Sequence, residues 1–259
     1  MSDITTERSG SILRVQLNRP AKKNAMTGAM YTVLADLLNE AAKDEHVRVV
    51  LWHGAGDAFC AGNDLDDFMK NPPGPEESPQ SRLINALINF PKPLVAAVHG
   101  VAIGGGTTML LHCDFVYAAE GTKFQTPFIN LALVPEFGSS CSIPARIGYL
   151  HAAELIMLGQ PLDAKPAEAL GLVTRVVPGP KLLAAATEAA QKLAEKPAVA
   201  LQACKRLLKE SLREQVEQAA KAENVEFAAR VRSADAKEAF TAFFEKRPAD
   251  FTRTKEMAA

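Results

Sequence analysis

A run of three glycines and one later glutamate are the residues whose types and spacing best fit catalytic chemistry. The glycines, residues 104–106, follow an apolar strand pattern at 93–98 and open a predicted apolar helix at 106–113. A helix N-terminus presents unpaired backbone N–H groups, and glycines let a ligand oxygen approach them closely. Glu136 lies in the otherwise apolar segment LVPEFG at 133–138, which fits a partly buried acid with a raised pKa. Amide donors and one carboxylate together indicate chemistry on a carbonyl compound.

A second glycine-bearing turn, AFCAGNDL at residues 58–65, also follows a strand pattern. Two such turns could each offer one backbone amide to the same oxygen. Structural alternatives stay open at this point. The glycines at 104–106 also permit close packing of a helix on a strand, and Glu136 alone is compatible with a position on the surface.

Other functional motifs are incomplete in this chain. The segment GAGDAF at residues 54–59 begins like a dinucleotide-binding fingerprint, but phenylalanine stands where the third glycine is needed. No Lys-Ser or Lys-Thr pair follows residues 104–106, as a phosphate-binding loop requires, and GSSCS at 138–142 does not fit G-x-S-x-G. The five histidines and four cysteines are scattered, so we expect no metal site.

Composition excludes several classes of partner. The 259 residues are 47% hydrophobic and carry 29 basic against 30 acidic side chains, a formal net charge of −1. This balance gives no electrostatic reason to expect binding to nucleic acid or to an anionic membrane. The N-terminal residues have no apolar signal core, and no apolar run reaches 18 residues. We therefore expect a soluble cytoplasmic protein.

Strand and helix patterns alternate through the first two-thirds of the chain, which predicts an α/β fold with a largely parallel sheet. Strands are predicted at residues 12–17, 47–53, 92–98 and 173–177, and helices at 27–44 with Thr27 as the N-cap, 81–89, 152–158 and 164–170. The proline-rich residues 71–80 are predicted to form a mobile surface loop. Helices are then predicted at 181–195, 198–212, 214–231 and 234–245. We expect a core at 1–195 and a helical C-terminal region at 196–259.

The chain resembles the crotonase superfamily of acyl-CoA enzymes, which includes the enoyl-CoA hydratases and isomerases. The resemblance covers almost the whole chain in the same order, through NRPAKKNAM (18–26), AFCAGNDLDDF, AVHGVAIGGG, HCDFVYA, TPFINLALVPEFGSS, GLVTRVV and DAKEAFTAFFEKRPADF (235–251). It implies an α/β fold with a spiral core of ββα units and a helical C-terminal trimerisation region. It also implies a homotrimer or a hexamer made of two trimers.

The resemblance further implies an acyl-CoA thioester as the substrate, with no separate cofactor and no metal. The thioester oxygen would lie between the amides of Asn63 and Gly105, an oxyanion hole, and Glu136 would be the catalytic base. Phe227 and Lys246 would reach the CoA of a neighbouring subunit. The remaining residues implied to bind the acyl-CoA are Lys22, Lys23, Ala25, Ala61, Gly62, Asp64, Leu65, Gly104 and Phe128, together with Asn63 and Gly105 themselves.

The chain departs from the hydratases at the two glutamates that those enzymes use. Thr108 and Phe128 occupy the corresponding positions, and neither can activate water as a carboxylate does. Glu136 occupies the V-P-E-x-G position, which supplies the single base in peroxisomal-type Δ3,Δ2-enoyl-CoA isomerases. The resemblance is therefore closest to that branch and implies transfer of a double bond from 3-enoyl-CoA to 2-enoyl-CoA in fatty acid metabolism. Two alternatives remain, a hydratase that uses Glu136 alone and a non-catalytic acyl-CoA-binding protein.

Overall fold

The computed structural model describes residues 2–74 and 78–252. Strands and helices alternate up to residue 177, and most of the later described residues are helical. The strands are β1 Ile4–Ser9, β2 Ile12–Leu17, β3 Val49–Gly54, β4 Leu94–Val98, β5 Val101–Ile103, β6 Phe115–Ala119, β7 Lys123–Gln125, β8 Leu162–Asp163 and β9 Arg175–Val177. The helices are α1 Gly28–Lys43, α2 Leu65–Lys70, α3 Pro79–Asn89, α4 Gly105–Thr108, α5 Ser139–Ile147, α6 Tyr149–Met157, α7 Ala164–Ala169, α8 Leu182–Ala194, α9 Ala198–Arg230 and α10 Ala234–Glu245.

The strands form two sheets. In the six-stranded sheet the order is β1-β2-β3-β4-β6-β9, and every pairing is parallel except the β1–β2 hairpin. The smaller sheet has the order β5-β7-β8, with β5 and β7 parallel and β7 and β8 antiparallel. The prediction of an α/β fold with a largely parallel sheet is confirmed.

Successive strands of the large sheet each lead into a second, short extended segment. Strand β4 leads into β5, and β6 leads into β7, which pairs with β5. The segment after β3 does the same, because Cys60 forms an isolated parallel bridge with Ala102 in β5. A helical segment follows each of these short segments. The two glycine-bearing turns therefore lie side by side, next to the smaller sheet and at the start of the helices that follow.

Helices cover both faces of the large sheet. Leu182, Ala186 and Ala190 of α8 pack on one face against Val49 and Leu51 of β3 and their neighbours. The other face packs against α1 and α3, as the core residues Leu34, Leu38, Leu83 and Leu87 indicate. Helix α1 begins where the sequence predicts, because the Thr27 hydroxyl accepts a hydrogen bond from the Met30 amide at 3.3 Å.

Three predicted elements differ from the structure. Helices predicted at 198–212 and 214–231 are one 33-residue helix, α9, since no proline or glycine interrupts it. The helix predicted at 106–113 is a short α4 followed by a 3-10 helix at Met109–His112. Within the predicted loop at 71–80, residues 79 and 80 belong to α3, and residues 75–77 lie outside the described residues. The division at residue 195 stays a prediction.

Candidate active site

The two glycine-bearing turns meet at the Cys60–Ala102 bridge. The Cys60 carbonyl accepts a hydrogen bond from the Ile103 amide at 2.9 Å. A Cβ on Gly62 would lie 2.8 Å from the Ile103 carbonyl oxygen, and Gly62 has a φ of +88°. Only glycine combines that dihedral with such a close approach. The turn at 61–63 is therefore held directly against residues 103–105.

Backbone hydrogen bonds leave two neighbouring amides unused. The Met26 amide donates to the Gly62 carbonyl at 2.7 Å, and the Met26 carbonyl accepts from the Asp64 amide at 2.8 Å. In this parallel bridge the backbone N–H of Asn63, the residue between Gly62 and Asp64, points away from Met26. Gly104, with φ +54° and ψ −122°, turns the chain so that Gly105 begins α4. Within residues 2–74 and 78–252, neither the Asn63 amide nor the Gly105 amide donates to a protein acceptor.

The Glu136 side chain lies against Gly105. A Cβ on Gly105 would come within 2.9 Å of Glu136 Oε1 and within 3.0 Å of the Tyr31 hydroxyl oxygen. The Tyr31 hydroxyl donates a hydrogen bond to Asn63 Oδ1 at 2.7 Å. The structure thus brings together all three predicted catalytic residues, Glu136, Asn63 and Gly105, around a buried tyrosine.

Burial dominates the electrostatics of this cluster. Glu136 is only 4% exposed, and Oε1 has no hydrogen-bond partner in the described part of the chain. Burial raises the pKa of Glu136 to about 8; the charge of Glu223 acts in the same direction, and the neighbouring Asn63 carboxamide lowers it. The expectation of a partly buried acid with a raised pKa is confirmed, and the surface alternative is wrong.

A cavity of about 570 Å³ opens in front of the two turns. Phe68 of α2 and the half-exposed Phe243 and Phe244 of α10 contribute aromatic walls. The predicted binding residues in its lining are Lys22, Ala25, Ala61, Gly62, Asn63, Asp64, Leu65, Gly104, Gly105, Phe128 and Phe227. Most of the predicted acyl-CoA path therefore surrounds one cavity.

Three predicted site residues are not in the lining of this cavity. Glu136 is buried in contact with Gly105, which is in the lining, while Lys23 and Lys246 are exposed outside the cavity. Phe227 lines the cavity of its own chain and packs edge-on against Phe68, with ring centroids 5.8 Å apart. That Phe227 and Lys246 reach the CoA of a neighbouring subunit stays a prediction.

Comparison with known proteins identifies the family. Residues 7–254 match the family described as enoyl-CoA hydratase/isomerase. The chain belongs to the enoyl-CoA hydratase/isomerase family. As a member of this crotonase family it is an acyl-CoA enzyme, and the predicted fold, including the helical C-terminal region, is confirmed.

Relatives of this enoyl-CoA hydratase/isomerase family member carry several activities in their names. The rat enoyl-CoA delta isomerase 2 is 41% identical over 68% of this chain, although the match spans only 46% of the rat protein. The 1,2-epoxyphenylacetyl-CoA isomerase of Escherichia coli is 33% identical over 97% of this chain and 99% of its own length. The 2,3-dehydroadipyl-CoA hydratase of the same organism is 32% identical over 97% of this chain and 99% of its own.

Two solved structures share the fold over almost the whole chain. An enoyl-CoA hydratase/isomerase from Pseudoalteromonas atlantica superposes with a TM-score of 0.92 at 39% identity, covering 96% of this chain and all of the other. Pseudomonas aeruginosa OdaA superposes with a TM-score of 0.91 at 42% identity, covering 94% of this chain and 99% of its own.

The two positions that the resemblance matches to the hydratase glutamates hold a threonine and a phenylalanine in this family member. Thr108 is fully buried, and its hydroxyl is 3.3 Å from the Gly104 carbonyl oxygen, to which it donates. The Phe128 ring lies 3.6 Å from where a Cβ on Gly104 would be. Phe128 lines the cavity and Thr108 lies beneath Gly104 of its wall, and neither residue carries a group that ionises.

Sequence patterns missed two residues of the family member's site. Tyr31 lies on the buried face of α1, where a tyrosine hydroxyl needs a hydrogen-bond partner. A tyrosine on the apolar face of the predicted helix was the sequence feature that could have indicated its role. Glu223 lies on α9 among many other charged residues, and no sequence feature distinguishes it.

No helix among the described residues is long and apolar enough to cross a membrane. Those residues also contain no group of three or more side chains that could hold a metal ion.

Proposed function

We propose that this family member moves the double bond of a 3-enoyl-CoA to give the 2-enoyl-CoA, with Glu136 as its single acid–base group. One observation carries the proposal. The Glu136 carboxylate is buried beside Gly105 with an unpartnered oxygen, while threonine and phenylalanine occupy both hydratase carboxylate positions. A reaction that moves one proton within the substrate needs only one such group.

The reaction begins when the thioester oxygen accepts hydrogen bonds from the Asn63 and Gly105 amides. The Glu136 carboxylate removes a proton from C2, and the C–H electrons form a dienolate with negative charge on the thioester oxygen. The two amides stabilise that charge, and each donor of this kind typically contributes about 10²–10³-fold in rate. The Glu136 carboxyl then returns the proton to C4. The product is the 2-enoyl-CoA, and no water is consumed.

The proton affinity of Glu136 suits both halves of this reaction. A group that first takes and then returns a proton works best when its pKa lies near the operating pH. Burial raises the pKa of Glu136 to about 8, close to neutral pH. The apolar neighbours Phe128, Leu133 and Phe137, all buried, would keep solvent from the dienolate.

Assembly into a homotrimer or hexamer belongs to the same proposal. Exposed apolar residues on α6 and α9 support it, since isolated chains rarely leave so much apolar surface open. These residues are Tyr149, Leu150, Met157, Val199, Leu207 and Leu208, each at least 64% exposed. Lys246 and Phe227 would contribute to CoA binding across this assembly, and the mass of the particle in sedimentation equilibrium tests the subunit number.

Two alternatives to isomerisation are tested alongside it. A hydratase that uses Glu136 alone is kept open by the similarity to the Escherichia coli 2,3-dehydroadipyl-CoA hydratase. A non-catalytic acyl-CoA-binding protein would keep the cavity without turnover. General acid–base groups contribute about 10²–10⁴-fold each, so loss of both hydratase glutamates should leave feeble hydration.

The deciding experiment supplies 3-enoyl-CoA and 2-enoyl-CoA separately to wild type and to Glu136→Gln. We expect isomerisation by wild type, a loss of at least about 10²-fold in the variant, and little hydration by either. Glu188→Gln is the matched control, since Glu188 is an exposed carboxylate paired with Lys192 at 2.6 Å. Isomerisation by Glu136→Gln within a few-fold of wild type would contradict the proposal. Rapid hydration of 2-enoyl-CoA would favour the hydratase.

A further inference from the structure

Glu223 of α9 fastens the loop that carries Glu136. Its Oε2 accepts a hydrogen bond from the Gly138 amide at 2.6 Å, and its Oε1 accepts one from the Ser140 amide at 2.7 Å. These amides lie at the start of α5, where unpaired N–H groups favour an anionic acceptor. Glu223 is 6% exposed, so water does not compete freely for these bonds.

The loop that Glu223 holds has an unfavourable backbone conformation. Phe137 and Gly138 have φ values of +64° and +67°, and this left-handed region is unfavourable for a residue other than glycine. Such a conformation persists only where neighbours hold it. The His112 Nε2–H donates to the Phe137 carbonyl at 2.8 Å, and the Ser139 amide donates to the Glu136 carbonyl at 3.2 Å. Glu223 adds the two charged contacts.

Helix α9 is itself anchored to the core. The Lys205 ammonium, buried near the start of α9, donates to Asp114 Oδ2 and to the Lys92 carbonyl, both at 2.7 Å. One turn after Glu223, Phe227 lines the cavity. The same helix therefore supports the wall of the cavity and the loop behind it.

Among the described residues, Glu223 is the acid whose charge raises the pKa of Glu136. Burial raises the pKa of Glu223 as well, while the Ser140 and Gly138 hydrogen bonds favour its ionised form. Tyr31 of α1 and Cys60 of the glycine-bearing turn also face Glu136. Burial raises the pKa of Tyr31 well above its usual value and that of Cys60 to about 12, so both are neutral at physiological pH. Burial lowers the pKa of His112, beneath the loop, to about 3, so this ring is neutral as well.

We propose that Glu223 is a positioning residue for the isomerisation: through the Gly138 and Ser140 amides it holds residues 136–140 in the conformation that presents Glu136. The charge of Glu223 also raises the pKa of Glu136. The inference rests on the proposed function for its catalytic consequence. The effect of Glu223 on the pKa of Glu136 can be measured without turnover. Two buried carboxylates that repel each other bind protons more tightly than either would alone.

The test titrates Glu136 directly by NMR in protein labelled with 13C at the glutamate carboxyl carbons. The Glu136 resonance is identified by its absence in Glu136→Gln. In Glu223→Gln we expect its titration midpoint to fall by roughly half a pH unit or more. We also expect the maximal isomerisation rate to fall about tenfold, because the loop loses one of its two acceptors. Glu226→Gln, which removes an exposed α9 carboxylate paired with Arg230 at 3.0 Å, should change neither.

A second variant separates charge from geometry and covers the case in which Glu223→Gln does not fold. Glu223→Asp keeps the charge but shortens the side chain, so the midpoint should stay near that of wild type while the rate falls. An unchanged midpoint in Glu223→Gln, or wild-type rate together with wild-type midpoint in Glu223→Asp, would overturn the inference. Absence of isomerisation by wild type would instead remove the proposed function and leave the NMR result standing.

Discussion

Gly105 and Glu136 are packed so closely that a side chain on the glycine would meet the carboxylate. A Cβ at residue 105 would lie 2.9 Å from Glu136 Oε1, a distance at which one of the two residues must move. Gly105 also belongs to the cavity wall. The absence of a side chain at residue 105 therefore lets a buried acid lie directly against a residue of the cavity wall.

Gly105→Ala should reduce isomerisation without unfolding the protein. The blocking atoms, Glu136 Oε1 and the Tyr31 hydroxyl oxygen, are the ends of side chains and can be displaced. Displacing a catalytic group by about 1 Å can cost on the order of 10²-fold in rate, and we expect a loss of that size in kcat/KM. Gly179→Ala is the control, since nothing lies within 4 Å of a Cβ there. Equal activity in the two variants would contradict the assigned role of Gly105.

The rate of isomerisation should rise with pH and level off above about pH 8. Glu136 must be ionised to remove the C2 proton, and its pKa is raised to about 8 by burial and by Glu223. Below that value kcat/KM should fall about tenfold for each pH unit, because the ionised fraction falls in that proportion. This profile is measured as initial rates with 3-enoyl-CoA from about pH 5.5 to about pH 9.5, at intervals of about half a pH unit. A flat profile would assign the base to another group.

The same carboxylate should make the protein less stable as the pH rises. The pKa of Glu136 is about 8 in the folded chain against an ordinary 4.5, so between these values the folded state binds more protons than the unfolded state. The free energy of unfolding of wild type therefore falls through this window, and the loss is complete above pH 8. The glutamine in Glu136→Gln cannot ionise, so the variant does not lose this stability as the pH rises. Urea titrations should show the variant gaining up to about 5 kcal/mol relative to wild type from pH 4.5 to pH 8.5.

Much of the fold follows from local patterns that the structure confirms. Strand β2 occupies residues 12–17 as its alternating pattern predicts, and α10 occupies 234–245 with Ser233 as its N-cap. Strand β1 was missed, because its residues after Ile4 are mostly exposed and polar and form a strand through pairing with β2. Pairing across a sheet is a long-range property that a local pattern does not contain.

The site was predictable as far as its motifs extend. The glycine-bearing turns and the acid in an apolar segment indicate where the site lies, and the resemblance to the crotonase superfamily implies Asn63 and Gly105 within those turns. The structure brings both residues together with Glu136. Tyr31 and Glu223 were not predicted, because their roles depend on contacts across 32 and 83–85 positions of the chain. Side chains that support a site from distant helices carry no signature in the residues around them.

Tyr31→Phe should weaken the site through Asn63 and should change its pH dependence in a defined direction. The lost hydroxyl donates to Asn63 Oδ1 at 2.7 Å, and an acceptor left without its partner costs about 1–3 kcal/mol. Because the Asn63 carboxamide lowers the pKa of Glu136, releasing it should move the inflection of the rate profile to higher pH, opposite to the shift expected for Glu223→Gln. KM should change little, since Tyr31 is not in the cavity lining. Tyr149→Phe, at a residue 72% exposed, is the control, and an inflection that stays in place or moves to lower pH in Tyr31→Phe would refute the coupling between Tyr31, Asn63 and the base.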